Sequence, residues 1–337
     1  METNNLKIFF VSVLMIFAIV AKIDRDNIQK TTAQENIRDT SVSATTHTNI
    51  PYRGVPEKRN VQPAAVLTVQ STEASVPYRS DPTHADPVMQ VKAAFAIDLD
   101  TMMDLYRFRV TERWPFASLT KLMASVIALE YIGGQKIVML SESAIKTEGG
   151  SGNFSVGERY RVSDLVQAMM MVSSNDAAAA LAEFYGTPQF VQAMEEKARS
   201  LAMRQTTFAD PTGLSFLNQG SITDLQRLVT YILDKHPALF TMTTDRIDTI
   251  SSVDATSTIK TLKNINYFAI NDYPDFRGGK TGFTDEAGGN LVSIFAHEGH
   301  RLLIVVLGAT DRFAQTEILY NWIKKEFRFN SQPTTDN

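Results

Sequence analysis

The stretch FASLTKLM, residues 116–123, decides how this chain is read. Leu119, Leu122, Met123, Val126 and Ile127 recur with a period of about 3.6, so a helix runs over residues 119–131 and stops at Gly133 and Gly134. Ser118 falls on its first turn, with side chain and amide at the positive end of the helix dipole. Lys121 lies three residues on, on the same face and within reach of the serine. Taken alone, the pair reads as a capping serine followed by a surface lysine. Read as chemistry, it is a hydroxyl nucleophile beside an amine that desolvation can strip of its proton near neutral pH.

Outward from this helix the pattern changes at both ends. Residues 91–98 (VKAAFAID) and 105–110 (LYRFRV) are apolar runs of strand length joined by an acidic turn, hence a hairpin. Residues 291–296 and 302–307 flank HEGHR as a second hairpin, and a helix over 314–327 follows. Between the hairpins, residues 162–171, 176–184, 188–201 and 222–233 read as helices. Strands at both ends with helices inside predict an α+β fold, an antiparallel sheet flanked by helices with an inserted all-α subdomain.

Composition narrows the function classes. A net charge of −4 and no Lys/Arg run give nothing to capture nucleic acid. No cysteine is present, which removes thiol nucleophiles, thiolate-bound metals and disulfides. Ahead of the domain, residues 8–21 (IFFVSVLMIFAIVA) are an unbroken apolar run between Lys7 and Lys22, an export signal. Residues 1–23 are then a cleaved signal peptide or a retained signal-anchor, which puts the domain outside the cytoplasm with membrane contact only through this segment. Residues 24–87 are polar and aperiodic, a flexible linker. The catalytic domain is expected over 88–328, with a polar tail over 329–337.

Two further motifs join Ser118 and Lys121. MVSSNDAA (171–178) places Ser173 and Asn175 at a tight junction between two helices, and RGGKTGFT (277–284) places Lys280, Thr281 and Gly282 at the start of a strand. The order S-x-x-K, S-x-N, K-T-G is that of penicillin-binding proteins and class A β-lactamases. Together with TTFADPTGLS, GGKTGFTDEAGGNLV and LLIVVLGATDR, these motifs make residues 88–327 resemble the serine D-Ala-D-Ala carboxypeptidases, the low-molecular-mass penicillin-binding proteins.

The resemblance implies a serine β-lactamase/transpeptidase-like fold and a cell-wall stem peptide as substrate, with β-lactams as covalent inhibitors. Ser118 would attack the penultimate D-Ala carbonyl and release the terminal D-Ala, and Lys121 would be its base. Ser173 and Asn175 would relay the proton and hold the peptide. Lys280 would keep the field positive, Thr281 would bond the substrate carboxylate and Arg312 would anchor it further. The oxyanion hole would be the N–H groups of Ser118 and of Phe283, the residue after Gly282. No cofactor or metal is expected.

Several features compete with this assignment. A literal S-G-N stands at Ser151, Gly152 and Asn153, but in a Gly-rich loop rather than between helices. His236, His297 and His300 read as surface residues at a helix end and a hairpin turn, which leaves no Ser-His-Asp triad. H-E-G-H is too short for a zinc motif. Met169, Met170 and Met171 read as core. Ser174 stands where the carboxypeptidases usually carry Gly and class A β-lactamases Asp. A class A β-lactamase also needs a deacylating glutamate, for which only Glu183, Glu195 and Glu196 stand in the interval before Lys280. The stretch KNINYFAINDYPDF resembles the endopeptidase subgroup, which cuts D-Ala–diaminopimelate cross-links. A cell-wall binding module that kept the fold without catalysis is the remaining alternative.

Overall fold

The computed structural model describes residues 75–254 and 257–329. The expected export segment, residues 24–74 of the expected linker and residues 330–337 of the expected tail lie outside the described residues. Five antiparallel strands form the main sheet: β1 (Ala93–Asp98), β2 (Asp104–Phe108), β3 (Phe276–Thr284), β4 (Gly288–His297) and β5 (His300–Ala309), ordered β3-β4-β5-β1-β2. The pairing of Leu302 with Asp98 through Leu307 with Ala93 joins the two distant hairpins into one sheet.

Helices cover both faces, so the central strands are apolar throughout rather than alternating. Phe95, Ile97, Val292, Leu303 and Val305 share one core with the helical subdomain. Ala94, Ala96, Phe295, Ile304 and Val306 share the other with the C-terminal helix. Burying a Val, Leu, Ile or Phe contributes roughly 1.5–3 kcal/mol, against roughly 0–1 kcal/mol for an exposed ion pair, so these strands fix the scaffold.

The longer helices are α1 (Thr120–Ile127), α2 (Val162–Met171), α3 (Asn175–Tyr185), α4 (Thr187–Ser200), α5 (Ile222–Lys235) and α6 (Arg312–Glu326). Every residue of α1 is buried, as suits a helix packed on all sides. The single helix expected over 119–131 is three pieces: a 3₁₀ turn at Ala117–Leu119, α1, and a wide π turn at Ala128–Gly133. Met169, Met170 and Met171 are buried in the core. Among the described residues, no helix is long and apolar enough to cross a membrane.

Four further details differ from the sequence reading. The folded unit starts before residue 88 and continues past 328: Tyr78–Arg79 pairs with Phe327–Arg328, and Ser80 donates to the Glu326 carbonyl. Phe329, fully buried, packs its ring 5.2 Å from that of His297 and 5.1 Å from that of His300. These short polar segments have no periodicity of their own and gain order from each other. Second, the K-T-G triplet lies in the middle of β3, not at its start. Third, His300 is buried, its Nδ1 3.0 Å from Asp98 Oδ2, because β5 pairing brings that carboxylate to the turn. Asp98, Asp100 and His300 thereby cluster, but the Arg301 guanidinium bonds Asp100 and the cluster braces the turn. Fourth, His236 and His297 are half-buried rather than open, and His236 Nε2 lies 2.8 Å from Glu130.

Candidate active site

The 3₁₀ turn bearing Ser118 is held in an uncommon shape. Ala117 has φ +48°, a left-handed conformation that a non-glycine residue adopts at a cost of about 1 kcal/mol or more. Two glycines press on this turn. A Cβ at Gly213 would lie 2.0 Å from the Ala117 carbonyl oxygen, and one at Gly282 would lie 2.8 Å from that of Phe116 and 3.2 Å from the Ser118 nitrogen. Backbone from two other segments therefore sets where Ser118 stands, and its side chain opens to a pocket of about 350 Å³.

Lys121, on the first turn of α1, is fully buried. Its Nζ lies 2.9 Å from Ser118 Oγ, 2.6 Å from Asn175 Oδ1 and 2.5 Å from the Thr212 carbonyl. Burial pulls its pKa down to about 7, while the charges of Asp210 and Asp176 oppose the fall. Near neutral pH a large share of the amine is uncharged. It can then accept the hydroxyl proton of Ser118 instead of donating to that oxygen.

The junction between α2 and α3 divides its three residues by task. Ser173, at φ +59°, turns its hydroxyl to Lys280, whose Nζ donates to it at 2.9 Å. Ser174 is buried and caps α3, its Oγ accepting from the Ala177 N–H at 3.1 Å. The middle residue of S-x-N thus serves the helix rather than the pocket. Asn175 offers Oδ1 to Lys121, and its Nδ2 donates to the Glu148 carbonyl at 2.6 Å, which fixes the amide orientation. Ser151, set aside from the motif, does not touch Lys121 but does line the pocket, donating to the Val172 carbonyl at 3.0 Å.

The opposite wall is β3. Lys280 is buried, and its Nζ also donates to the Thr281 carbonyl at 2.8 Å. Burial, with Lys121 and Arg312 nearby, pushes its pKa well below the lysine range. Thr281 and Gly282 line the pocket, Phe283 stands at its mouth 60% exposed, and Arg312 enters from the start of α6. The Arg312 guanidinium sits 4.9 Å from the Phe313 ring, and its buried Nε has no hydrogen-bond partner among the described residues. Nitrogen donors with no carboxylate partner among the described residues, standing beside a nucleophile, suit a substrate that carries a carboxylate next to its scissile bond.

All nine residues expected at the site therefore belong to one assembly. Among the described residues no histidine lines it. Glu183 bonds Ser141, and Glu195 bonds the Phe208 N–H; neither they nor Glu196 line the pocket. Sequence reasoning missed Thr212, Gly213 and Glu148, which act through backbone atoms, and Asp210 and Asn218, which organise the loop around Thr212. The D-P-T-G string at 210–213 belongs to the TTFADPTGLS stretch, and its Asp two residues before Thr-Gly is the turn signal that points to that loop.

The chain is similar to several known proteins. The family model described as D-alanyl-D-alanine carboxypeptidase matches residues 80–311. A D-alanyl-D-alanine endopeptidase of Escherichia coli is 29% identical over 249 residues, covering 72% of this chain and 80% of its own length. The D-alanyl-D-alanine carboxypeptidase DacF of Bacillus subtilis is 31% identical over 228 residues, covering 66% of this chain and 58% of its own. The crystal structure of a Streptomyces DD-transpeptidase superposes with a TM-score of 0.65 at 23% identity, covering 71% of this chain and 98% of that one, a likeness of fold.

Proposed function

Because this chain belongs to the D-alanyl-D-alanine carboxypeptidase family of serine peptidases, we propose that it hydrolyses the bond after D-Ala in peptidoglycan stem peptides through a Ser118 acyl-enzyme. The observation that carries this is the fully buried Lys121 amine, 2.9 Å from Ser118 Oγ with its pKa near neutrality. The neutral amine takes the Ser118 proton as Oγ bonds to the D-Ala carbonyl carbon. The N–H groups of Ser118 and Phe283 stabilise the oxyanion that forms. Collapse breaks the C–N bond, and the proton held by Lys121 passes to the leaving amine, with Ser173 and Asn175 lining its path. Water then attacks the acyl carbon and frees Ser118. Lys280, Thr281 and Arg312 receive the carboxylate of the leaving residue. β-Lactams acylate the same serine, and an exported enzyme fits a substrate outside the membrane.

Carboxypeptidase action is our first reading, because a terminal D-Ala carries its free carboxylate next to the scissile bond. A D-Ala–diaminopimelate cross-link also places a carboxylate there and differs in the bulk attached to it. The E. coli relative is named an endopeptidase and is covered over 80% of its length, which favours this second reading. Phe283 and Ile265, 60% and 43% exposed at the pocket, leave that side open to a larger leaving group. Digestion of defined uncross-linked and cross-linked muropeptides, with products identified by mass spectrometry, decides between them. Release of neither D-Ala nor the cross-linked partner refutes both.

A further inference from the structure

Asp210 touches neither Ser118 nor Lys121, yet it bonds the residues that touch both. Its Oδ1 accepts from the Thr212 N–H (2.7 Å), the Thr212 hydroxyl (2.6 Å) and the Gly213 N–H (2.8 Å). Its Oδ2 accepts from the Ser215 N–H (2.9 Å) and Asn218 Nδ2 (2.6 Å). Asn218, fully buried, closes the loop by accepting from the N–H groups of Ala209 (2.7 Å) and Asp210 (3.3 Å). Held this way, Thr212 aims its carbonyl at Lys121 Nζ, and Gly213 packs against the Ala117 carbonyl.

We propose that Asp210 is a positioning residue for the base: it gathers the 210–218 loop around its carboxylate and so fixes the Thr212 carbonyl that receives one of the three hydrogen bonds of Lys121. The inference rests on the reading of Lys121 as the base. One carboxylate thereby sets both an acceptor of the base and, through Gly213, the turn of the nucleophile.

Its charge acts in the same direction. Burial alone would raise the Asp210 pKa, but the Thr212 hydroxyl and the N–H groups of Ser215, Gly213 and Thr212 outweigh it and hold the carboxyl below its ordinary range. The carboxylate is therefore ionised wherever the enzyme works, and it opposes the desolvation of Lys121. The other charged groups facing Lys121 are Asp176 at the start of α3 and Lys280 on β3.

The test is the rate of Ser118 acylation by a fluorescent penicillin as a function of pH, with thermal melts to confirm folding. Asp210→Asn keeps the Oδ1 acceptor but removes the charge and turns a donor toward Ser215 and Asn218. The plateau rate should fall about tenfold or more, and the acid limb should move to lower pH by about one unit. Asn218→Ala keeps the charge and loosens the loop, so its plateau should fall severalfold with the limb in place. The proposal is overturned if the folded Asp210→Asn enzyme keeps the wild-type plateau, or loses rate with its acid limb unmoved. Should Asp210→Asn not fold, Asn218→Ala decides alone, and a wild-type plateau in that variant overturns the proposal. A wild-type enzyme that takes no label at Ser118 would instead remove the functional reading itself.

Discussion

Lys121 and Lys280 are both lysines, 0% and 1% exposed, each bonded to residues that line one pocket, and their surroundings differ in charge. Lys121 has three oxygen acceptors and two carboxylates, Asp210 and Asp176, acting on it. Lys280 has two neutral acceptors, Ser173 and Thr281, and two cations, Lys121 and Arg312. Burial lowers both pKa values. For Lys121 the negative charges of Asp210 and Asp176 oppose that fall and leave the value at about 7, in the range a base requires. Lys280 is left short of a counter-ion, and an arriving carboxylate can supply it. On the proposed function, two buried lysines thus divide base and anion receiver between them by what surrounds each.

The sharpest way to break this division is Lys121→Met. Acylation by penicillin, followed by stopped flow, should fall by about 10²–10⁴-fold, the usual span for a general base. A variant within a few-fold of wild type would mean that another group serves as base. Lys280→Met should cost less, about 10–100-fold in kcat/KM for carboxylate-bearing substrates, and Arg312→Leu less again. Both losses should shrink with an analogue amidated at the carboxylate; equal losses on both substrates would remove the anion-receiver role.

Stability gives a smaller and independent measure. The folded pKa of Lys121 is about 7 and its unfolded value 10.5, so the unfolded chain binds more protons between those limits. Stability from this group is therefore gained as pH rises from 7 toward 10.5 and is absent below 7, and Lys280 acts with the same sign. Chemical denaturation should show a gain of about 2 kcal/mol between pH 7 and 9 that Lys121→Met removes. A pH dependence unchanged by the substitution would show that Lys121 folds with its proton. The smallest effect is expected from Ser174→Ala, which should cost about 1 kcal/mol of stability as a lost helix cap while Ser118 still takes the penicillin label. Loss of labelling in a folded variant would move Ser174 into the chemistry.

The three motifs around Ser118, Ser173 and Lys280 were legible from residue type and order, whereas Phe283 and Arg312 entered only through the resemblance that those motifs carry. The positions around them were not, because a carbonyl such as Thr212 O has no residue signature: any residue could present it. Gly213 and Gly282 look like turn and strand glycines until the Ser118 turn is seen against them. His300 looked solvated because its partner Asp98 is 202 residues away. Residues 75–87 looked unstructured for the same reason, since their order comes from Phe327–Arg328 and Phe329. On the fold, hairpins and helices followed from local periodicity, whereas the breaking of the first helix into three pieces is imposed by packing on every side of α1.

The ribbon between Tyr78–Arg79 and Phe327–Arg328 makes the first and last described strands neighbours. Whatever precedes residue 75 and whatever follows 329 therefore attach at one spot. A short loop could close the two ends there, and new termini could be opened at an exposed turn such as Glu298–Gly299 without cutting through the pocket. The same adjacency would let the whole unit be spliced into a surface loop of another protein as a single cassette.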